Sequence, residues 1–220
     1  SYATEVVVRA EQCAVLPDSV AFDDAACLPV PGATAIRSFE LASLSVEPGK
    51  SDGARVLVLG ASGGVGLITL QIARAAGARA FGVCSTRNVA VVERFGAVAL
   101  DYTKGDPLEA AAAHGPFDLI LHAVGSASYP LGRCRSLLAP HGAIALAVVR
   151  PADVFSLLFF PSVKNVLGRP NRANLTPLVG FLERGEIETI IEARFPLTEA
   201  EKAHEISRAG KVVGKLLLIP

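Results

Sequence analysis

"VLVLGASGGVGLITLQIARAAGARAFGVCSTRN" occupies residues 56–88, and the architecture turns on what its glycines are for. Residues 56–59 are apolar without interruption, the pattern of a strand buried on both faces of a parallel sheet. After the glycines, apolar residues recur at helical spacing from Val65 onward. Two motifs overlap in the turn between them. Gly60-Ala61-Ser62-Gly63-Gly64 is G-x-S-x-G, a strand-to-helix elbow that exposes a nucleophilic serine. Ala61-x-Gly63-x-x-Gly66 is a dinucleotide fingerprint with alanine in place of its first glycine.

Outward from this stretch the chain alternates strand and helix. Strands are predicted at 55–60, 78–84, 97–102, 117–125 and 142–148, with helices at 65–76, 88–95, 108–114 and 131–138. Such alternation builds a parallel sheet covered by helices on both faces, an α/β doubly wound Rossmann fold with its ligand at the carboxyl ends of the strands. Before it come two short predicted strands (2–8 and 12–16) and helices at 22–29 and 32–44, the first capped by Asp23 or Asp24. After it come a helix at 175–184 capped by Asn174, a strand at 189–197, a helix at 199–209 capped by Thr198, and a strand at 214–219. "VFSLLFFPSV" (154–163) is too short to cross a bilayer and is expected to be a buried strand, a lid or a subunit contact.

The elbow and the fingerprint make different demands. A hydrolase elbow needs histidine and acid partners later in the chain. His204 falls within a predicted helix and His141 in a turn, neither with an evident carboxylate partner. The fingerprint accounts for more. Gly63 lets the backbone approach a pyrophosphate, Gly66 lets the helix pack against the strand, and amides at the helix start face the phosphates. Ala61, Ser62, Gly63, Gly64, Val65 and Gly66 are therefore candidate cofactor-binding residues. The end of the second strand bears on which dinucleotide. A site for the unphosphorylated ribose places Asp or Glu about 20 residues on, yet here the chain runs Cys84-Ser85-Thr86-Arg87-Asn88, with no acid before Glu93. Ser85 and Thr86 can donate hydrogen bonds and Arg87 offers a charged fork, which suits a 2′-phosphate. Tyr102 can close over the same pocket. NADP(H) is favoured over NAD(H).

Composition excludes other classes. The chain is 51% hydrophobic and 19% charged, so it buries a large core. Its 21 basic and 21 acidic residues cancel with no basic run, which argues against a nucleic-acid surface. Cys13, Cys27, Cys84 and Cys134 are scattered, and no zinc-ligand spacing is present. They suit a reducing compartment. The cytoplasm is the expected location, or an organelle if a leader has been removed.

At these residues the chain resembles the medium-chain dehydrogenase/reductase superfamily, in its zinc-free quinone oxidoreductase and enone reductase branch. The stretches "YATEVVV", "AACLPVPGATAI", "VLVLGASGGVGLITLQIARAAGA", "VCSTRN", "LDYT", "FDLILHAVG", "FPLTEAEKAHE" and "GKLLLIP" follow the family's order. The resemblance implies that residues 31–165 are an NADP(H)-binding Rossmann domain. Residues 1–30 would be the remnant of a GroES-like, β-rich catalytic domain, and 166–220 the return to it. Most of that domain would precede Ser1, so the chain is expected to be an excerpt, or else a natural truncation completed by a partner. The resemblance adds Thr34 beside the pyrophosphate and nicotinamide, and Ala123, Val124 and Gly125 beneath the nicotinamide. His122 stands where many relatives have Asp, and "VVRPAD" lacks glycines that many place beside the nicotinamide.

The implied activity is hydride transfer from NADPH to a quinone or to the double bond of an α,β-unsaturated carbonyl. No catalytic residue is assigned; Tyr129 is a candidate proton donor, but packing at a helix start is the favoured role. The competing reading is a catalytically inactive NADPH-binding subunit or sensor. A homo-oligomer, or a place in a larger assembly, is expected.

Overall fold

The computed structural model describes residues 2–220. Its centre is a six-stranded sheet formed by β1 (Arg55–Leu59), β2 (Arg79–Cys84), β3 (Val98–Asp101), β4 (Phe117–His122), β5 (Leu138–Leu146) and β6 (Val163–Asn165), in the order β3-β2-β1-β4-β5-β6. Every neighbouring pair is parallel. The chain winds outward one way from β1 to β3 and the other way from β4 to β6, so the switch point lies between β1 and β4.

The apolar run of β1 follows from this position. Val56, Leu57, Val58 and Leu59 are each 0% exposed because both neighbours and both faces are covered. Val56 and Val58 face a core that includes Phe39 of α2 (Pro29–Leu41), Ile68 and Ile72 of α3 (Gly64–Ala75), and Phe181 of α8 (Arg172–Glu183). Leu57 and Leu59 face the opposite core, with Phe81, Phe117, Leu108 of α5 (Pro107–Ala112) and Leu131 of α6 (Leu131–Arg135). Each such side chain contributes roughly 1.5–3 kcal/mol when fully buried.

Outside the sheet the chain forms α1 (Phe22–Ala26), α4 (Val89–Arg94), α7 (Val154–Phe159) and α9 (Ala200–Arg208). A separate two-stranded parallel sheet joins β7 (Ile191–Pro196) to β8 (Lys215–Ile219). No helix among the described residues is long and apolar enough to cross a membrane.

Several predicted elements are corrected. Residues 2–8 and 12–16 form no strands; a single tight turn at Ala10–Gln12 interrupts an extended, exposed segment. Val7 is fully exposed and Val15 nearly so, since no strand lies alongside to take their backbone hydrogen bonds. The helix predicted at 32–44 begins at Pro29, because prolines in a first turn surrender no intrahelical bond. Neither Asp23 nor Asp24 caps α1, whose N-cap is Ala21. The cap of α8 is Asn171, which exchanges hydrogen bonds with Asn174. Thr198 lies within a 3-10 turn and caps nothing. The stretch 154–163 divides: α7 exposes Phe155, Leu158 and Phe159, so the buried-strand alternative fails for most of it, and β6 begins only at Val163 as a three-residue edge strand.

Candidate functional site

The glycine turn opens at the end of β1. Gly60 takes a positive φ of 92°, and the Ala61 amide donates to the Val83 carbonyl at 3.0 Å, tying the turn to β2. Ala61 is buried, and the backbone at Gly82 leaves space for its methyl group: a Cβ there would lie 2.8 Å from that of Ala61. A Cβ at Gly66 would collide with the Gly60 carbonyl oxygen and lie 2.6 Å from that of Ala61. Gly66 thus permits the close strand–helix approach expected of it. Gly63 is the N-cap of α3, and Leu67 makes the first full helical turn back to it. The amides of Val65 and Gly66 have no partner within the helix and stand at its positive end, whereas the Gly64 amide pairs with the Gly214 carbonyl in a parallel bridge.

Gly64 also serves a contact that the sequence did not reveal. The Gly214 amide donates to the Ser62 carbonyl at 2.9 Å, and a Cβ on Gly64 would lie 3.1 Å from the Gly214 carbonyl oxygen. The entry to β8 therefore rests on the glycine turn. Ser62 Oγ accepts from Asn88 Nδ2 at 2.8 Å. Its partner is an amide rather than a histidine, so the elbow has no base.

Beside the turn is a cleft of about 680 Å³ at the carboxyl ends of β1, β2 and β4. Ser62, Ser85, Thr86, Arg87, Tyr102 and Val124 line it, all named from the sequence. Ala123 and the positive-φ Gly125 flank Val124, and the Ala123 amide donates to the Leu59 carbonyl. Thr34 is not among the lining residues. Its hydroxyl donates to the Val30 carbonyl at 2.7 Å, and Gly168 packs against it.

The adenosine-side residues differ in what they have free. Thr86 Oγ1 donates to Asp101 Oδ2 at 2.6 Å, and Thr103 Oγ1 to Asp101 Oδ1 at 2.7 Å. The Thr86 hydrogen bond, chiefly, and those of Thr103 hold the Asp101 carboxyl below its ordinary range. Thr86 Oγ1 also lies 2.6 Å from Thr103 Oγ1, so its hydroxyl is engaged within this cluster and is not the free donor expected from sequence. Arg87 Nη2 donates to the Lys211 carbonyl at 2.6 Å. Gly210, Lys211 and Val212 close that side of the cleft. Sequence reasoning missed Asp101 and residues 210–212: the former belongs to the next strand, and the latter come from far along the chain.

Around the inner end, His122 is 0% exposed and its Nε2 lies 2.9 Å from the Tyr129 carbonyl oxygen. Burial pulls its pKa down, so it is a neutral structural histidine near neutral pH. Burial raises the Tyr129 phenol and pushes the Cys84 and Cys134 thiols up to about 11 and about 12. Neither thiol is a thiolate nucleophile at neutral pH.

With this geometry in view, comparison with known proteins is decisive at one point: the profile of the zinc-binding dehydrogenase family matches residues 95–218. The chain belongs to that family. Its relatives and structural neighbours are quinone oxidoreductase-like members of the medium-chain dehydrogenase/reductase group. It is 29% identical to a chloroplast envelope quinone oxidoreductase homolog of Arabidopsis thaliana, over 98% of this chain and 68% of the relative. It is 27% identical to the mitochondrial reticulon-4-interacting protein 1 of Caenorhabditis elegans, over 98% of this chain and 66% of that one. The quinone oxidoreductase of Coxiella burnetii superposes with a TM-score of 0.80 at 26% identity, covering 93% of this chain and 63% of the other. The chain thus spans about two thirds of each. Among the described residues no group of three His, Cys, Asp or Glu side chains is placed to hold a metal ion.

Proposed function

We propose that this chain binds NADP(H) and forms the coenzyme-binding part of an oxidoreductase acting on a quinone or on the double bond of an α,β-unsaturated carbonyl. The observation that carries this reading is the pairing of Arg87 with an acid-free rim. Arg87 stands at the mouth of the cleft beside Ser85, and the nearby carboxylate, Asp101, already accepts from Thr86 and Thr103. A guanidinium with donors to spare favours a phosphoryl group over a bare ribose hydroxyl.

The residues fit the coenzyme along its length. Val65 and Gly66 offer amides to the diphosphate, Gly63 and Gly64 let the backbone approach it, Tyr102 flanks the adenosine end, and Ala123, Val124 and Gly125 form the floor at the inner end. When bound, the nicotinamide supplies the hydride. The chain's own part is to orient the coenzyme and exclude water at that floor. The likeness to the Arabidopsis quinone oxidoreductase homolog and to the Coxiella quinone oxidoreductase supports a quinone as acceptor. Tyr129 lines the cleft, and its backbone carbonyl anchors His122; no residue is assigned as proton donor. The exposed apolar side chains of α7 support assembly into an oligomer.

Titration of the protein with NADPH and with NADH tests the reading. NADPH is expected to bind more tightly, with Arg87→Gln weakening it roughly tenfold or more and leaving NADH nearly unchanged. Equal affinity for the two coenzymes defeats the assignment. NADPH binding without turnover of enones or quinones favours the inactive binding subunit.

A further inference from the structure

We infer that Lys211 is a second cation for the 2′-phosphate, acting beside Arg87; this rests on the reading that the cleft takes NADP(H). The two residues are 124 positions apart in sequence, yet the Arg87 guanidinium donates to the Lys211 carbonyl at 2.6 Å, and both residues line the same cleft.

The backbone at Lys211 is fixed on three sides. α9 ends just before Gly210, whose positive φ of 67° turns the chain toward the cleft. Arg87 then holds the Lys211 carbonyl, the Glu192 carboxylate accepts from the Val213 amide, and the Ser62 carbonyl accepts from the Gly214 amide. The Lys211 side chain itself is exposed. Among the described residues no carboxylate is within ion-pair distance of Arg87 or of Lys211. The local acid, Asp101, accepts from two threonine hydroxyls and has Lys104 at 3.8 Å.

Two uncompensated cations therefore share one rim of the cleft. Their summed positive potential favours an anion in the cleft. A phosphate monoester carries about −1.5 to −2 charge at neutral pH, more than one guanidinium neutralises. Arg87 spends one of its five N–H donors on the Lys211 carbonyl and keeps the others. Lysine adds a mobile point charge, which suits a phosphate without demanding a fixed approach. The same carbonyl bond that orients Arg87 thus holds the Lys211 backbone at the cleft's rim, within reach of an anion bound there.

Calorimetric titration with 2′,5′-ADP and with AMP isolates this end of the coenzyme. The unmodified protein is expected to prefer 2′,5′-ADP. Lys211→Gln should weaken 2′,5′-ADP roughly five- to tenfold and leave AMP unchanged, with Lys211→Arg restoring most of the loss. Should Lys211→Gln leave 2′,5′-ADP untouched while Arg87→Gln weakens it, the inference is overturned and the coenzyme reading stands. Equal weakening of both nucleotides by Lys211→Gln also overturns it, since the lysine would not be sensing the 2′-phosphate. No preference for 2′,5′-ADP in the unmodified protein removes the coenzyme reading, and the inference with it.

Discussion

Gly63 and Gly66 are three residues apart, and a methyl group on each meets different surroundings. At Gly66 it would be driven into the Gly60 and Ala61 carbonyls, whereas at Gly63 the nearest atom is 3.6 Å away. Gly66→Ala is expected to cost roughly 1–3 kcal/mol and to lower the urea midpoint clearly, while Gly63→Ala should unfold almost where the unmodified protein does. His122 gives a second prediction, in pH. Its folded pKa lies below the ordinary 6.5 because of burial, so the unfolded chain binds the proton more readily. Stability is therefore expected to fall as pH drops from about 6.5 toward the folded value, then to level off for this group. Urea midpoints at pH 7.5 and 5.5 check this: His122→Gln should lose less between the two than the unmodified protein. At this scale the sequence was most informative where neighbours in space are neighbours in the chain. Ser85 and Arg87 follow β2 directly, so their place at its carboxyl end could be read from the strand. The hydrogen bond that takes the Thr86 proton comes from β3, and no local pattern announced it.

Elements are held together by contacts of another kind. Gln71, buried in α3, donates through Nε2 to the Glu188 carbonyl at 3.0 Å and accepts from the Glu188 amide at 2.8 Å. One side chain thereby satisfies both backbone groups of a residue outside any regular element and fastens the approach to β7 onto the Rossmann core. Gln71→Ala leaves both groups without that partner, and a loss of about 2 kcal/mol is expected in chemical denaturation. The helical spacing of 65–76 was legible; the partner of its polar residue, 117 positions away, was not. The same limit explains residues 2–16. Their composition suits strands, but a strand exists only where another lies beside it, and alternation in one segment says nothing about that. The inner strands, β1 above all, were easier to recognise because burial on both faces writes itself as an apolar run.

For the whole molecule, the sheet has a wide opening at its switch point and an apolar surface facing solvent on α7. Phe155, Leu158 and Phe159 are 60%, 73% and 62% exposed on α7, alongside the edge strand β6. Phe155→Ser combined with Phe159→Ser is expected to reduce concentration-dependent self-association in sedimentation velocity without lowering the unfolding midpoint, because neither ring is buried. The fold class could be read from the order of elements alone, whereas the closure of the cleft could not, since its last wall comes from residues 210–212. That arrangement has a consequence for biosynthesis. As the chain leaves the ribosome, the six strands of the main sheet are complete about fifty residues before Gly214 can dock on Ser62. A nascent chain thus acquires its hydrophobic interior early and its coenzyme cradle late. Any protection against proteolysis that the coenzyme confers would reach finished molecules and pass over interrupted ones.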